Sequence, residues 1–243
     1  MANEAVTQLN ETPPAGRNLT YGMLEVLGRA IVTGRYDDTP FPTEAELAKQ
    51  HAVSRSVTRE AVKMLTAKGL LTARPRKGTT VQPPHYWNLF DPDVLRWLLE
   101  RKFSIELLRH FSELRIAIEP AAAALAAKAA DQRGIANIEA GDERMAAAEV
   151  GDDDPLEADI AFHIAVLEAS ANPFYQQFRD LVTTALRTSI RFTNRFKGRT
   201  ASLPQHHDVL AAIQRREPEQ ARAAMDLLIA DVMTLIDTAE RGR

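Results

Sequence analysis

The chain has 243 residues, 45% apolar and 26% charged, with 30 Lys+Arg against 33 Asp+Glu for a formal net charge of −3. Such values belong to ordinary globular proteins and exclude a disordered, collagen-like or fibrous chain. The lack of cysteine excludes disulfides, thiolate zinc sites, iron–sulfur clusters and cysteine nucleophiles.

No apolar run approaches the ~18 residues of a membrane span. The start MANEAVTQLNETPPAGRN carries no basic-then-apolar leader. A cytoplasmic protein with no membrane partner is expected, with one large domain or two smaller ones. The overall charge hides an asymmetry. Residues 1–85 hold eleven basic and eight acidic side chains, whereas residues 86–243 hold 19 and 25. Residues 49–77 carry eight basic side chains and a single acid, Glu60. A basic patch on an acidic whole points to a local anion-binding surface.

Residues 1–17 are polar, contain Pro13-Pro14 and Gly16, and read as a flexible arm. Met23, Leu24, Leu27 and Ile31 then form one helical stripe from Leu19 to Thr33, stopped by Gly34. Thr43 and Glu46 have the spacing of a capping box, opening a short helix that ends near His51. Ser54 caps a second helix, Arg55 to Lys68, with a buried stripe of Val57, Ala61, Met64 and Leu65. Arg55, Arg59 and Lys63 repeat at i, i+4, i+8 and share its other face. Gly69 ends that helix. Two extended pieces follow, Leu70–Ala73 and Thr79–Gln82, around the basic turn Arg74-Pro75-Arg76-Lys77-Gly78, and Pro83-Pro84 makes a linker.

The remainder reads as helical. Asp91 caps a short apolar segment, and Ile105–Ala130 is long and Ala-rich, with Pro120 expected to kink or divide it. Ile135–Val150, Leu156–Ala171, Phe174–Phe196, His206–Arg215 and Pro218 to about Arg241 complete a helical bundle. The expected class is mostly α. A winged helix-turn-helix over 18–84, with a small β-hairpin wing, precedes an all-α bundle over 85–243.

The order helix, capped helix, turn, basic helix, hairpin fits DNA. A helix enters the major groove, and its first residues, here Ser54, Arg55, Ser56 and Arg59, reach base edges. Arg suits guanine because its planar fork meets two acceptors, a match worth roughly 1–3 kcal/mol of discrimination. Arg76, Lys77 and Gly78 form a basic wing tip in which glycine lets the backbone come close to phosphate.

Residues 42–82, PTEAELAKQHAVSRSVTREAVKMLTAKGLLTARPRKGTTVQ, resemble the DNA-binding domain of GntR-family bacterial transcription regulators. The resemblance implies that Arg55 and Arg59 contact bases, Ser54 and Ser56 the DNA backbone, and Lys77-Gly78 the wing site, with Thr43 at the interface. Where the family often has Arg in the second helix this chain has Ala45.

Asp159 and His163 stand at i and i+4 on one helical face, and His206 follows on a later helix. Two imidazoles and a carboxylate suit a borderline divalent ion such as zinc, nickel or manganese, although the same pair also serves as a structural salt bridge. The motifs L-R-x-x-I-E-P at Leu114–Pro120, D-I-A-F-H-I-A-V-L-E-A-S-A-N at Asp159–Asn172 and H-H-D-V-L-A-A-I at His206–Ile213 resemble the fatty-acid-regulator (FCD-domain) subgroup of GntR proteins. Metal-binding members of that subgroup use an Asp, a His one turn on, and two later His residues. The first three map to Asp159, His163 and His206, but the fourth falls at Leu228, while His207 and Asp231 do not match the motif. Both a three-ligand site with open positions and a metal-free pocket remain readings of this pattern.

The stretch Tyr86 to Trp97 is similar to sugar-acid-catabolism regulators of the D-galactonate type, which also lack the last His. That resemblance implies a sugar-acid effector. Arg115, Arg187 and Arg191 are candidates for its carboxylate and Asn172 for its hydroxyls. Together these features imply a homodimeric, effector-controlled repressor on an inverted-repeat operator. Rival readings are the same regulator answering to lactate, pyruvate or a hexuronate, and a metal-dependent hydrolase, for which the sequence offers no general base.

Overall fold

The structure, a computed structural model, describes residues 19–74, 78–101, 104–196 and 202–241. The arm over 1–17 and the wing-tip residues Arg76 and Lys77 lie outside the described residues. The chain divides into two compact units, one up to Lys102 and one from Phe103.

The first unit opens with α1 (Leu19–Val32), α2 (Glu44–Gln50) and α3 (Arg55–Ala67). The Thr43–Glu46 capping box forms as expected. The Glu46 amide donates to Thr43 Oγ1 at 3.3 Å, and the Thr43 amide donates to Glu46 Oε2 at 2.8 Å. Ser54 Oγ accepts from the Val57 amide at 3.3 Å and caps α3. The buried stripe of α3 is Thr58, Ala61, Val62 and Leu65, whereas Val57 and Met64 are only half-buried. The expected stripe shares only Ala61 and Leu65 with it and omits Thr58. Its hydroxyl donates to Ser54 O at 3.3 Å, so it can be buried without loss.

Strands β1 (Leu71–Arg74) and β2 (Gly78–Val81) pair antiparallel, with Leu71 opposite Val81 and Arg74 opposite Gly78. Each lies one residue from its expected bounds. Gly78 has φ +78°, the left-handed conformation that turns the chain into β2.

A short 3₁₀ turn, Pro84–Tyr86, leads to α4 (Pro92–Leu98), capped by Asp91. The sequence places a domain boundary after Pro84, but residues 85–102 go with the first unit. Two contacts hold them there. Lys68 Nζ donates to both Asp91 carboxylate oxygens and lies against Asp93, each at 2.8 Å. The fully buried Trp97 ring packs on Gly28, where a β-carbon would come within 2.2 Å of it.

The second unit comprises α5 (Ile105–Ala129), α6 (Gln132–Glu149), α7 (Pro155–Ala169), α8 (Pro173–Gln176), α9 (Arg179–Phe196), α10 (Leu203–Gln214) and α11 (Pro218–Arg241). Helix α7 is buried on nearly every side, from Ala158 and Asp159 through Phe162 and His163 to Ala169. A helix without a solvent face belongs at the centre of a bundle. Helices α5, α6 and α9 pack on it, and α11 lies along α5.

Pro120 neither ends nor divides α5. It removes one ladder hydrogen bond, and the packing of buried Ile118, Ala122 and Ala123 around it outweighs that loss. The expected Phe174–Phe196 helix is instead split into α8 and α9. The amides of Gln177 and Phe178 reach back only three residues, to Phe174 O and Tyr175 O, closing α8 before α9 starts. Helix α10 begins earlier than expected, because Pro204 is tolerated in a first turn. His206 therefore sits one turn inside it. Among the described residues no helix is long and apolar enough to cross a membrane.

Candidate functional site

Two constellations stand out, one in each unit. On the first, α3 presents Arg55, Ser56, Arg59 and Lys63 on its exposed face. Arg59 Nε donates to Glu44 Oε2 of α2 at 3.3 Å, and Lys63 pairs with Glu60 at 2.8 Å. Arg55 makes no ion pair among the described residues. The Ser54 and Ser56 hydroxyls lie 2.8 Å apart. Thr43 is exposed, with its hydroxyl donating to Glu46 at 2.7 Å, so it serves the cap of α2. Gly78 lies at the base of the wing with open space around it.

In the second unit, α7 and α10 bring Asp159, His163 and His206 together. One ligand atom from each lies within 4.8 Å of the others, and all three residues are buried. His206 Nε2 is 3.0 Å from Asp159 Oδ1, and His163 Nε2 is 3.6 Å from the same oxygen. The Phe162 ring meets both imidazoles edge-on, with centroids 5.8 Å from His163 and 4.9 Å from His206. His206 Nδ1 donates to Ser202 O at 2.8 Å, which leaves Nε2 to face the cluster.

Two residues of α5 complete the cluster. Arg115 and Glu119 are both buried and joined Nε to Oε1 at 2.5 Å. Arg115 Nη2 lies 3.2 Å from His163 Nε2. Glu119 Oε2 meets His163 Nδ1 in a close contact. Arg115 was among the expected effector residues; Glu119 was not. The L-R-x-x-I-E-P motif sets Arg115 and Glu119 four residues apart, the spacing of a helical ion pair, but it does not show that the pair is buried.

The other expected effector residues do not join them. Asn172 Oδ1 accepts from the Phe174 amide at 3.0 Å and caps α8. Arg187 pairs with Glu157 at 2.8 Å. The Arg191 side chain lies outside the described residues, and Leu228 is a buried core residue of α11. A surface groove of about 260 Å³ lined by Asp131, Arg133, Asn137 and Glu168 among others shares no residue with the cluster.

The electrostatics are those of a compact charge network. Burial alone pushes the Asp159 carboxyl up, but its hydrogen bonds to His163 and His206 and their charges outweigh this and hold it far below the usual range. Burial acts the same way on Glu119, and Arg115 and His163 overcome it, holding the group at about 2. For His163, burial pulls the imidazole down and Arg115 adds to that, yet Glu119 and Asp159 raise it overall. Two imidazole nitrogens and one carboxylate oxygen converging in a buried cluster form a donor set that fits a borderline divalent ion.

Comparison with known proteins adds sequence relatives for both units. Residues 24–81 match the family described as bacterial regulatory proteins, gntR family, and residues 110–231 match the FCD domain. The galactonate operon transcriptional repressor of Escherichia coli (strain K12) is 35% identical over 218 residues, covering 88% of this chain and 94% of that protein. The HTH-type transcriptional regulator YieP of the same strain is also 35% identical, with the same coverage. Among solved structures, E. coli McbR/YncC superposes with a TM-score of 0.51 at 17% identity, over 92% of this chain and 99% of that one, a likeness of fold alone.

Proposed function

The chain belongs to the gntR family of bacterial regulatory proteins and carries an FCD domain, and from that premise we propose that it is a homodimeric repressor released from an inverted-repeat operator by a small sugar acid. The first unit binds the duplex. Arg55 and Arg59 read base edges, Ser54 and Ser56 hold the DNA backbone, and Arg76, Lys77 and Gly78 place the wing. Arg59 exchanges its Glu44 partner for the groove.

In the second unit Asp159, His163 and His206 would hold a divalent ion (zinc, nickel or manganese), which would supply a positive centre for an acid. The observation that carries this reading is the convergence of those three donors beside the buried Arg115. Charge explains why an acid is the ligand. With neutral imidazoles, Arg115, Glu119 and Asp159 sum to one negative charge, which repels a carboxylate. A bound dication would reverse that sign, and an acid's carboxylate would then neutralise the remainder. Arg115 supplies the guanidinium donors beside it. An ion there would need a neutral His163, so affinity for it would rise with pH.

The acid must favour the arrangement that fits the operator poorly, since a ligand with equal affinity for both shifts nothing. A coupling of ~1–3 kcal/mol corresponds to a 5–150-fold loosening of DNA binding. Thermal-shift titration with aldonates, hexuronates, lactate and pyruvate, each with and without added metal, tests the reading. The expected result is stabilisation by an aldonate only in the presence of metal. Stabilisation by lactate, pyruvate or a hexuronate instead changes the acid; stabilisation by none of them removes the proposed pocket.

A further inference from the structure

We propose that Glu119 is a positioning residue that makes one cluster serve both the metal ion and the acid, an inference that rests on the metal reading above. Glu119 is a buried carboxylate on α5, and it is engaged on both sides. One oxygen accepts from Arg115 Nε at 2.5 Å, and the other meets His163 Nδ1. A carboxylate only accepts, so Nδ1 of His163 carries the proton at this contact. In the neutral ring that an ion would require, the lone pair would then be on Nε2, which faces Asp159 and the cluster. Ser202 does the same for His206 through its carbonyl. The two imidazoles thus reach their common donor state by different means, one through a neutral backbone oxygen and the other through a charged side chain.

The charged partner has a second consequence. Arg115 Nη2 lies 3.2 Å from the same His163 Nε2, donates to Glu119 Oε2 at 3.4 Å, and would donate to Nε2 in that neutral ring. One lone pair cannot serve both a guanidinium and a metal ion. With an ion on Nε2, Arg115 would keep its bonds to Glu119 through Nε and Nη2, and the second hydrogen of Nη2 would be free. Glu119 therefore anchors the guanidinium through that exchange and presents its freed donor where a carboxylate on the ion would lie. Such an arrangement would suit a ligand carboxylate within reach of both Arg115 and an ion held by Asp159, His163 and His206.

The test replaces Glu119 by Gln in the full-length protein. An amide can donate to Nδ1, which moves the ring proton to Nε2 and blocks the ligand atom. Competition of zinc or nickel between the protein and a chromophoric chelator is expected to show a 10–100-fold loss of affinity for Glu119→Gln, the usual range for such partners. A Glu119→Gln affinity equal to wild type overturns the inference and leaves the metal reading standing; a wild type that binds neither metal overturns both. Nitrogen-15 spectra of the metal-loaded wild type provide a readout that does not depend on the variant folding. His163, assigned by its loss in His163→Gln, is expected to show a protonated Nδ1 and a metal-bound Nε2. Metal on Nδ1 overturns the inference.

Discussion

Gly141 sits on α6 with its Cα directed at the backbone of α7. A β-carbon there would lie 2.8 Å from Phe162 Cα, 3.0 Å from its nitrogen and 3.2 Å from its Cβ. Gly141→Ala therefore sets two effects against each other. Helix propensity favours alanine by about 1 kcal/mol. Overpacking costs roughly 1–3 kcal/mol. The upper part of that range applies here because the obstacles are backbone atoms, which cannot rotate away, and ordinary carbon contacts need about 3.5–4.0 Å. The net expectation is a loss of about 1–2 kcal/mol. Phe162 precedes His163 and packs edge-on against His206, so displacing it also disturbs the donor atoms. Urea denaturation measures the first effect and chelator competition the second. A variant about 1 kcal/mol more stable than wild type, with unchanged metal affinity, would refute the argument that α6 and α7 meet too closely for a methyl group.

Two further substitutions probe the first unit. Arg55→Ala is expected to cost roughly 1–3 kcal/mol in operator affinity and to relax specificity at one base pair; equal losses on operator and random duplex would make Arg55 a phosphate contact. Lys68→Met leaves the Asp91 and Asp93 carboxylates without their half-buried cation and is expected to destabilise the protein by about 1–3 kcal/mol at neutral pH. Burial raises Asp93, but Lys68 and Arg96 overcome this and hold it below its ordinary value. A depressed carboxylate stabilises the fold above its unfolded pKa of about 3.9 and loses that contribution as pH falls through its folded value. The deficit of Lys68→Met in urea denaturation should therefore be full above about pH 5 and shrink toward pH 3. A deficit that does not change over that range would contradict the ion-pair account.

Much of the fold was legible because its signals are local. Thr43 with Glu46, Ser54 and Asp91 mark helix starts by side chains that bond their own next turn, and Pro218 marks one by its fixed φ. The α8–α9 break was not legible, because no Gly or Pro marks it and its backbone bonds merely shorten at Gln177 and Phe178. Nor was the unbroken course of α5 through Pro120, which depends on tertiary packing that periodicity does not report. The division at Lys102 rather than Pro84 rests on Lys68 and Gly28 meeting residues far along the chain. At the site, Asp159 and His163 were legible from an i, i+4 spacing and His206 from a motif. Glu119 was passed over because a buried ion pair beside an arginine looks the same in sequence as an exposed one.

The most direct measurement selects duplexes from a random library with the purified protein, then follows affinity for the enriched duplex as sugar acids are added. Wild type should enrich an inverted repeat and release it 5–150-fold more readily with one acid, while His163→Ala should bind the same duplex equally well and ignore that acid. Failure to enrich any duplex, or an unaltered acid response in His163→Ala, would contradict the claim that a buried carboxylate–imidazole cluster governs DNA binding.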